Sequence, residues 1–195
     1  MRTAQAIEDD AALAERARAG DAGAFAELAR RYRPALVALA FDRTRNIDDA
    51  HDLAQEALVK ALEHIGKLRD AASFPTWLRT IAANLCASWT RRPAMSPLAA
   101  CAVDDTDIAA EAIERCEQRE IARALAGLPA ANRLALLMHV WDGVPYERIA
   151  AFLGVPVTTV EGRIFRAREQ LRRDLVHRVA RAAERVKRER PNERC

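Results

Sequence analysis

The stretch from Val144 to Leu171 constrains this chain more than any other, because two short helical patterns flank a Gly-Val-Pro turn. Pro145 suits the first turn of a helix, where a missing N–H costs nothing. Tyr146, Ile149, Ala150 and Leu153 then recur at helical spacing. Gly154 accommodates the left-handed conformation that ends a helix, and Pro156 blocks its continuation. At about 100° per residue, Val160, Ile164, Ala167 and Leu171 of the second pattern fall in one stripe and face a core. Thr158, Gly162, Phe165, Arg166 and Glu169 occupy the opposite side. Packing gives little reason for a phenylalanine to point away from the core there. In a DNA major groove the same face works, since Phe meets a thymine methyl and Arg a guanine edge. The segment predicts a helix-turn-helix.

The rest of the chain agrees with a helical fold. Half of the 195 residues are apolar, yet only 5% are aromatic. Alanine and leucine supply most of the bulk, glycine is scarce, and no alternation of β-branched residues runs far enough for a strand. The predicted fold class is all-α: two small helical domains joined by a flexible linker, the second containing the helix-turn-helix. The net charge of +3 is too small to establish a nucleic-acid partner. Its distribution says more: arginines crowd the C-terminal stretch, while Asp104, Asp105, Asp107, Glu111 and Glu114 cluster mid-chain.

Asp9 to Ala19 reads as a short helix ending at Gly20. Asp21 caps a second helix with Phe25, Leu28, Ala29, Tyr32, Leu36 and Leu39 on its apolar face, and Pro34 inside it predicts a kink or break. Asp48 is the expected cap of a third helix, with Leu53, Ala57 and Ala61, and alongside them Leu58, Leu62 and Ile65, facing inwards. After a loop at 66–72, Ser73 is the expected cap of a fourth helix from Phe74 to about Arg91. The resulting boundaries are 1–92 for the first domain, 93–110 for an acidic linker, 111–176 for the second domain and 177–195 for a basic extension. Leu175, Val179, Ala182 and Val186 keep helical spacing, so the last helix can continue into that extension.

These segments, in this order and with a short linker between them, resemble the extracytoplasmic-function (ECF) group of RNA polymerase sigma factors of the sigma-70 family. GDAGAFAELARRY, DLAQEALVKAL and FPTWLRTIAANLCASWTRR are similar to that family's second region. LPAANRLALLMHVWDGVPYERIAAFLGVPVTTVEGRIFRAREQL resembles its fourth. The resemblance implies a non-catalytic promoter-specificity subunit. Its partners would be bacterial core RNA polymerase, promoter DNA with −35 and −10 elements, and an anti-sigma factor.

Carried over residue by residue, the resemblance places polymerase binding on Asp52, Gln55, Glu56 and Lys60, which share one helix face. It places the −10 element, read as single-stranded DNA, on the helix from Phe74. Asn84 matches the position lining the pocket for a flipped-out base, and an amide both donates to and accepts from a base edge. Trp89, Arg91 and Arg92 supply stacking and cationic chemistry there, whereas Trp77, beside Leu78 and Ile81, is read as core. The −35 element falls to Thr158, Thr159, Glu161, Gly162, Arg163, Phe165 and Arg166, with Arg168 nearby. Backbone N–H groups near Thr158 and Thr159 can hold a phosphate. The chain departs from the family's Thr-Val-Lys/Arg-Ser-Arg pattern, because Glu161 and Gly162 replace the basic residue and the serine. The −35 sequence read here is therefore expected to differ from the family's commonest one.

Competing classes fit less well. A free-standing helix-turn-helix regulator needs neither a polymerase-binding helix nor single-strand chemistry. An enzyme finds no support, since His51, His64, His139 and His177 are scattered and no Gly-rich phosphate loop occurs. Cys86, Cys101, Cys116 and Cys195 lack metal-ligand spacing, so neither metal nor cofactor is expected; the thiols read as buried or idle, with redox sensing through Cys86, Cys101 or Cys116 as the rival reading. No apolar run reaches the length of a membrane span and no signal-peptide core precedes the first helix, which points to a cytoplasmic protein without membrane insertion.

Overall fold

The computed structural model describes residues 9–91 and 123–189, and among these every regular element is helical. The helices are α1 (Asp10–Arg18), α2 (Ala22–Thr44), α3 (Ile47–His64), α4 (Phe74–Thr90), α5 (Ala130–Asp142), α6 (Tyr146–Leu153) and α7 (Val157–Glu189). Residues 123–126 are also helical. Two 3-10 turns, Ile65–Lys67 and Ala71–Ser73, occupy the stretch read as loop. Of the described residues, 9–91 and 137–161 form one compact unit, and 123–136 with 162–189 form a second.

The first unit is built around α2, which packs against α1, α3 and α4. Asp21 caps α2 as expected, accepting from the Gly23 and Ala24 N–H groups at 2.9 and 3.1 Å. Leu28, Tyr32 and Leu36 are fully buried along it. Of the kink or break expected at Pro34, the break does not occur: α2 is continuous from Ala22 to Thr44. Buried side chains on both sides of the proline, Leu28, Arg31 and Tyr32 before it and Ala35 to Ala40 after it, hold the helix together. That burial outweighs a local cost of about 3 kcal/mol.

The cap of α3 is Asn46 rather than Asp48. Asn46 accepts from the Asp48 and Asp49 N–H groups at 2.9 and 3.3 Å. The two aspartates instead occupy the first turn, where the helix dipole favours negative charge. Ser73 also fails as a side-chain cap, because its Oγ donates to the Asp70 carbonyl at 2.6 Å. The inward stripe of α3 is narrower than expected: Ala50, Leu53, Ala54, Ala57 and Ala61 are buried, as is Ile65 just beyond the helix. Leu58 is half-buried, and Leu62 is 53% exposed. Small alanines bring the neighbouring helices close, and Leu62, a further 100° or so around from Ala61, turns to the surface.

A charged and hydroxyl network joins α1 to α2. Arg31 donates to Asp10 at 2.6 Å and to Glu27 at 2.7 Å, while the Tyr32 hydroxyl donates to the other Asp10 oxygen. Burial, reinforced by Asp10, pushes the Tyr32 phenol above its ordinary range. Arg30 and then Arg31 hold the half-buried Glu27 carboxyl down at about 2. In the second unit, Gln170 on α7 donates to the Gly127 carbonyl at 2.9 Å, and Arg133 donates to the Leu128 carbonyl at 3.0 Å.

Two measurements follow from these local arrangements. Asn46→Ala should lower stability by about 1 kcal/mol in urea denaturation, with Asp48→Ala costing less. Glu27 has a depressed pKa, so its stabilising contribution is complete above its ordinary 4.5 and fades as pH falls through about 2. An NMR titration should place its inflection near that low value, and Arg30→Ala should move it upward.

Candidate nucleic-acid interface

The helix-turn-helix closes as its residues dictate. Gly154 adopts φ +68° and donates to the Ala150 carbonyl at 2.9 Å, and Val155 donates to the same oxygen at 3.1 Å. Pro145 sits at the N-cap of α6, one position ahead of the first helical turn. The Pro156 carbonyl accepts from Thr159 and Val160, so the amides left for a phosphate at the start of α7 are those of Val157 and Thr158. Along α7, Val160, Ile164 and Ala167 are buried and Leu171 is half-buried, as the stripe required.

The opposite face of α7 is open. Thr158, Glu161, Phe165, Arg166 and Arg168 are exposed, Phe165 at 69%, and Thr159, Gly162 and Arg163 are half-buried. The Arg166 guanidinium folds back over Gly162, where a β-carbon would meet its Nη1 at 3.2 Å. Glu169 pairs with Arg172 and Arg173 at 3.1 and 3.8 Å, and Arg172 above all holds its carboxyl below the usual range. Its charge is answered within the helix and opposes a phosphate backbone less than its position suggests.

On α6 the buried face is wider than the sequence stripe. Ile149 and Ala150 are buried as expected, Tyr146 and Leu153 are half-buried, and Phe152 is fully buried. The Phe152 ring stacks on Tyr32 of α2, with centroids 6.1 Å apart. Nothing in helical periodicity points to that partner. Tyr146 lies against His139, ring centroids 4.8 Å apart.

A second potential contact surface lies on α3 and α4. Asn84 is exposed at the mouth of a pocket of about 220 Å³ shared with Lys60, His64, Ile81, Leu85 and Ser88. Apolar walls, an amide and a cation are the groups that would hold an unstacked base and its phosphate. Lys60, expected on the polymerase-binding face, thus also lines the Asn84 pocket while pairing with Glu56 at 2.9 Å. Arg91 is exposed and donates to Ser88 Oγ at 3.1 Å; Trp89 is half-buried. Arg92 lies outside the described residues. Trp77, read as core, is half-buried at the core's edge, 6.0 Å from the Phe74 ring.

Asp52, Gln55 and Glu56 are exposed on α3, and Gln55 lines a groove of about 700 Å³ with Arg33, Val37, His51, Leu58 and Trp141. Val59 and Leu62, 49% and 53% exposed, continue the same face at three- and four-residue steps. Sequence reasoning assigned Leu62 inwards and passed over Val59, although their phase with Gln55 and Glu56 was the available signal. Cys86 is buried, and burial raises its thiol above the usual value, so it is an unreactive thiol. Cys101, Cys116 and Cys195 lie outside the described residues.

Comparison with known proteins agrees with this architecture. Residues 28–94 match the sigma-70 region 2 family and residues 118–171 the sigma-70 region 4 family. The chain is 34% identical over 178 residues to the RNA polymerase sigma-H factor of Pseudomonas aeruginosa, covering 84% of this chain and 92% of that protein. It is 34% identical over 176 residues to the ECF RNA polymerase sigma-E factor of Escherichia coli K12, covering 83% and 92%. A chain of the solved structure of CnrH in complex with the cytosolic domain of CnrY superposes with a TM-score of 0.55 at 26% identity, covering 86% of this chain and 97% of that one. The chain therefore belongs to the sigma-70 family of RNA polymerase sigma factors, in its ECF group. It is a non-catalytic subunit that directs core RNA polymerase to promoters and supports transcription initiation.

Gly162 offers a direct test of how Arg166 is seated. Gly162→Ala should stabilise α7 by about 0.5–1 kcal/mol, since glycine is costly inside a helix. The same change should push the guanidinium off its seat and alter base preference at the −35 element. Urea denaturation and selection from randomised −35 duplexes read the two effects separately.

Proposed function

We propose that this sigma factor reads its −35 element as duplex through Thr158, Thr159, Glu161, Gly162, Arg163, Phe165 and Arg166. The −10 element is read as single strand through Asn84, with Trp89, Arg91 and Arg92 along the strand's path. The observation that carries this reading is the pocket of Lys60, His64, Ile81, Asn84, Leu85 and Ser88. A regulator that only binds duplex DNA has no use for it. Glu161 on the outward face favours acceptance from a cytosine amino group, which suits a −35 sequence different from the family's commonest one.

Asp52, Gln55 and Glu56, extended by Val59 and Leu62, form the face that docks core polymerase. Lys60 stands at the border between that face and the base pocket. Polar groups there set orientation, and the two exposed aliphatic side chains add buried area on docking. The acidic linker is assigned to polymerase channels shaped for nucleic acid, by charge complementarity. The basic extension 177–195 adds sequence-independent attraction, and the α7 backbone continues helically into it as far as Glu189.

Control by an anti-sigma factor is part of the proposal, and the complex of CnrH with a cytosolic domain of CnrY supports a partner of this kind. A cytoplasmic site of action fits that arrangement. Among the described residues no helix is long and apolar enough to cross a membrane.

The test is transcription by core polymerase plus this protein on a pool of promoter fragments, with the products sequenced. Start sites should share one two-part motif. Asn84→Ala should relax preference at the −10 element only and Arg166→Ala at the −35 element only, each by roughly 10-fold. Duplex binding without transcription would instead favour a free-standing regulator.

A further inference from the structure

Helix α3 packs on α4, and the Asn84 pocket has one wall on each. Lys60 and His64, one turn apart, line it from α3, and Ile81, Asn84, Leu85 and Ser88 line it from α4. His64 is the last residue of α3. Ala61 and Ile65, buried on either side of it in the chain, fix its backbone, while the imidazole itself is exposed. The Lys60 ammonium is engaged by Glu56 at 2.9 Å, whereas His64 makes no hydrogen bond or ion pair among the described residues.

A base taken out of its stack exposes two faces and an edge, and a site that holds it covers the faces with flat or apolar groups. Ile81 and Leu85 supply aliphatic cover from α4, and the Asn84 amide is suited to the edge. The second face needs a ring. Neither tryptophan of α4 is placed to give one: Trp77 lies half-buried, 6.0 Å from the Phe74 ring, Trp89 is half-buried, and neither lines the pocket. Among the lining residues only His64 carries an aromatic ring.

We propose that the His64 imidazole stacks on the flipped-out −10 base and forms the α3 wall of the pocket, opposite Ile81 and Leu85. The two recognition tasks are then divided. Asn84 selects the base by its edge, and His64 adds affinity for whichever base enters, because every base has a π-face. Trp89 serves the strand outside the pocket. This inference rests on the assignment of the −10 element to Asn84 above.

The test uses holoenzyme made from core polymerase and the full-length protein. The probe is a fork-junction promoter, duplex through the −35 element and single-stranded over the −10 element. Abasic sites placed one at a time along the single strand first locate the flipped position, where wild type and Asn84→Ala should bind alike. If no such position exists, the −10 assignment itself fails, whatever His64 does.

At that position His64→Ala should weaken binding about 5- to 10-fold, by a similar factor for each of the four bases. The deficit should vanish on the abasic probe. His64→Phe and His64→Tyr, which keep a flat ring, should restore binding, and His64→Gln should not. With 2-aminopurine as the flipped base, the wild type should quench its fluorescence and His64→Ala should not. Equal binding by His64→Ala, a deficit that persists on the abasic probe, or restoration by His64→Gln overturns the proposal. A loss confined to one base also overturns it, since that would make His64 a reader of the edge.

Discussion

Tyr32 is the side chain on which the first unit depends. Its hydroxyl binds Asp10 of α1, its ring meets the edge of Phe74 on α4 with centroids 5.8 Å apart, and its face stacks on Phe152 of α6. A buried phenol is tolerable only when its polar end is satisfied, and Asp10, itself paired with Arg31, supplies that partner. One residue of α2 thereby holds three other helices in place. The exposed faces of α3 and α4 are carried by this frame.

Those surfaces share a physical character. They present apolar groups to solvent from helices whose other sides are fully packed: Phe165 opposite Val160 and Ile164, and Val59 and Leu62 opposite Ala57 and Ala61. Exposed phenylalanine and leucine bring no stability to the isolated chain. Under the proposed assignment duplex DNA covers Phe165, and polymerase covers Val59 and Leu62. Charges on the same helices are partly answered locally, Glu169 by Arg172 and Glu56 by Lys60.

Most of the fold was legible because its signals are short-range. The Asp21 cap, the left-handed Gly154 and the Val160–Ile164–Ala167 stripe each depend on residues within a turn or two of one another. The misreadings have equally specific causes. Asn46 and Asp48 are both competent caps, and only the path of the chain leaving α2 through left-handed Arg45 decided between them. Pro34 obeyed packing rather than local propensity. Leu62 went outward because the alanines of α3 drew its neighbours in on one narrow stripe.

By itself the sequence determined the helices, the helix-turn-helix, the outward Phe165 and Arg166, and the residue types that assign the chain to the sigma-70 family. Periodicity and capping act between near neighbours, so no distant contact was needed to read them. Tertiary structure alone decided that Lys60 and Asn84 line one pocket and that Phe152 lies on Tyr32. Each joins residues on different helices or turns on how closely two helices approach. Such distances are set by the volumes of all the side chains packed between them, which no local pattern records.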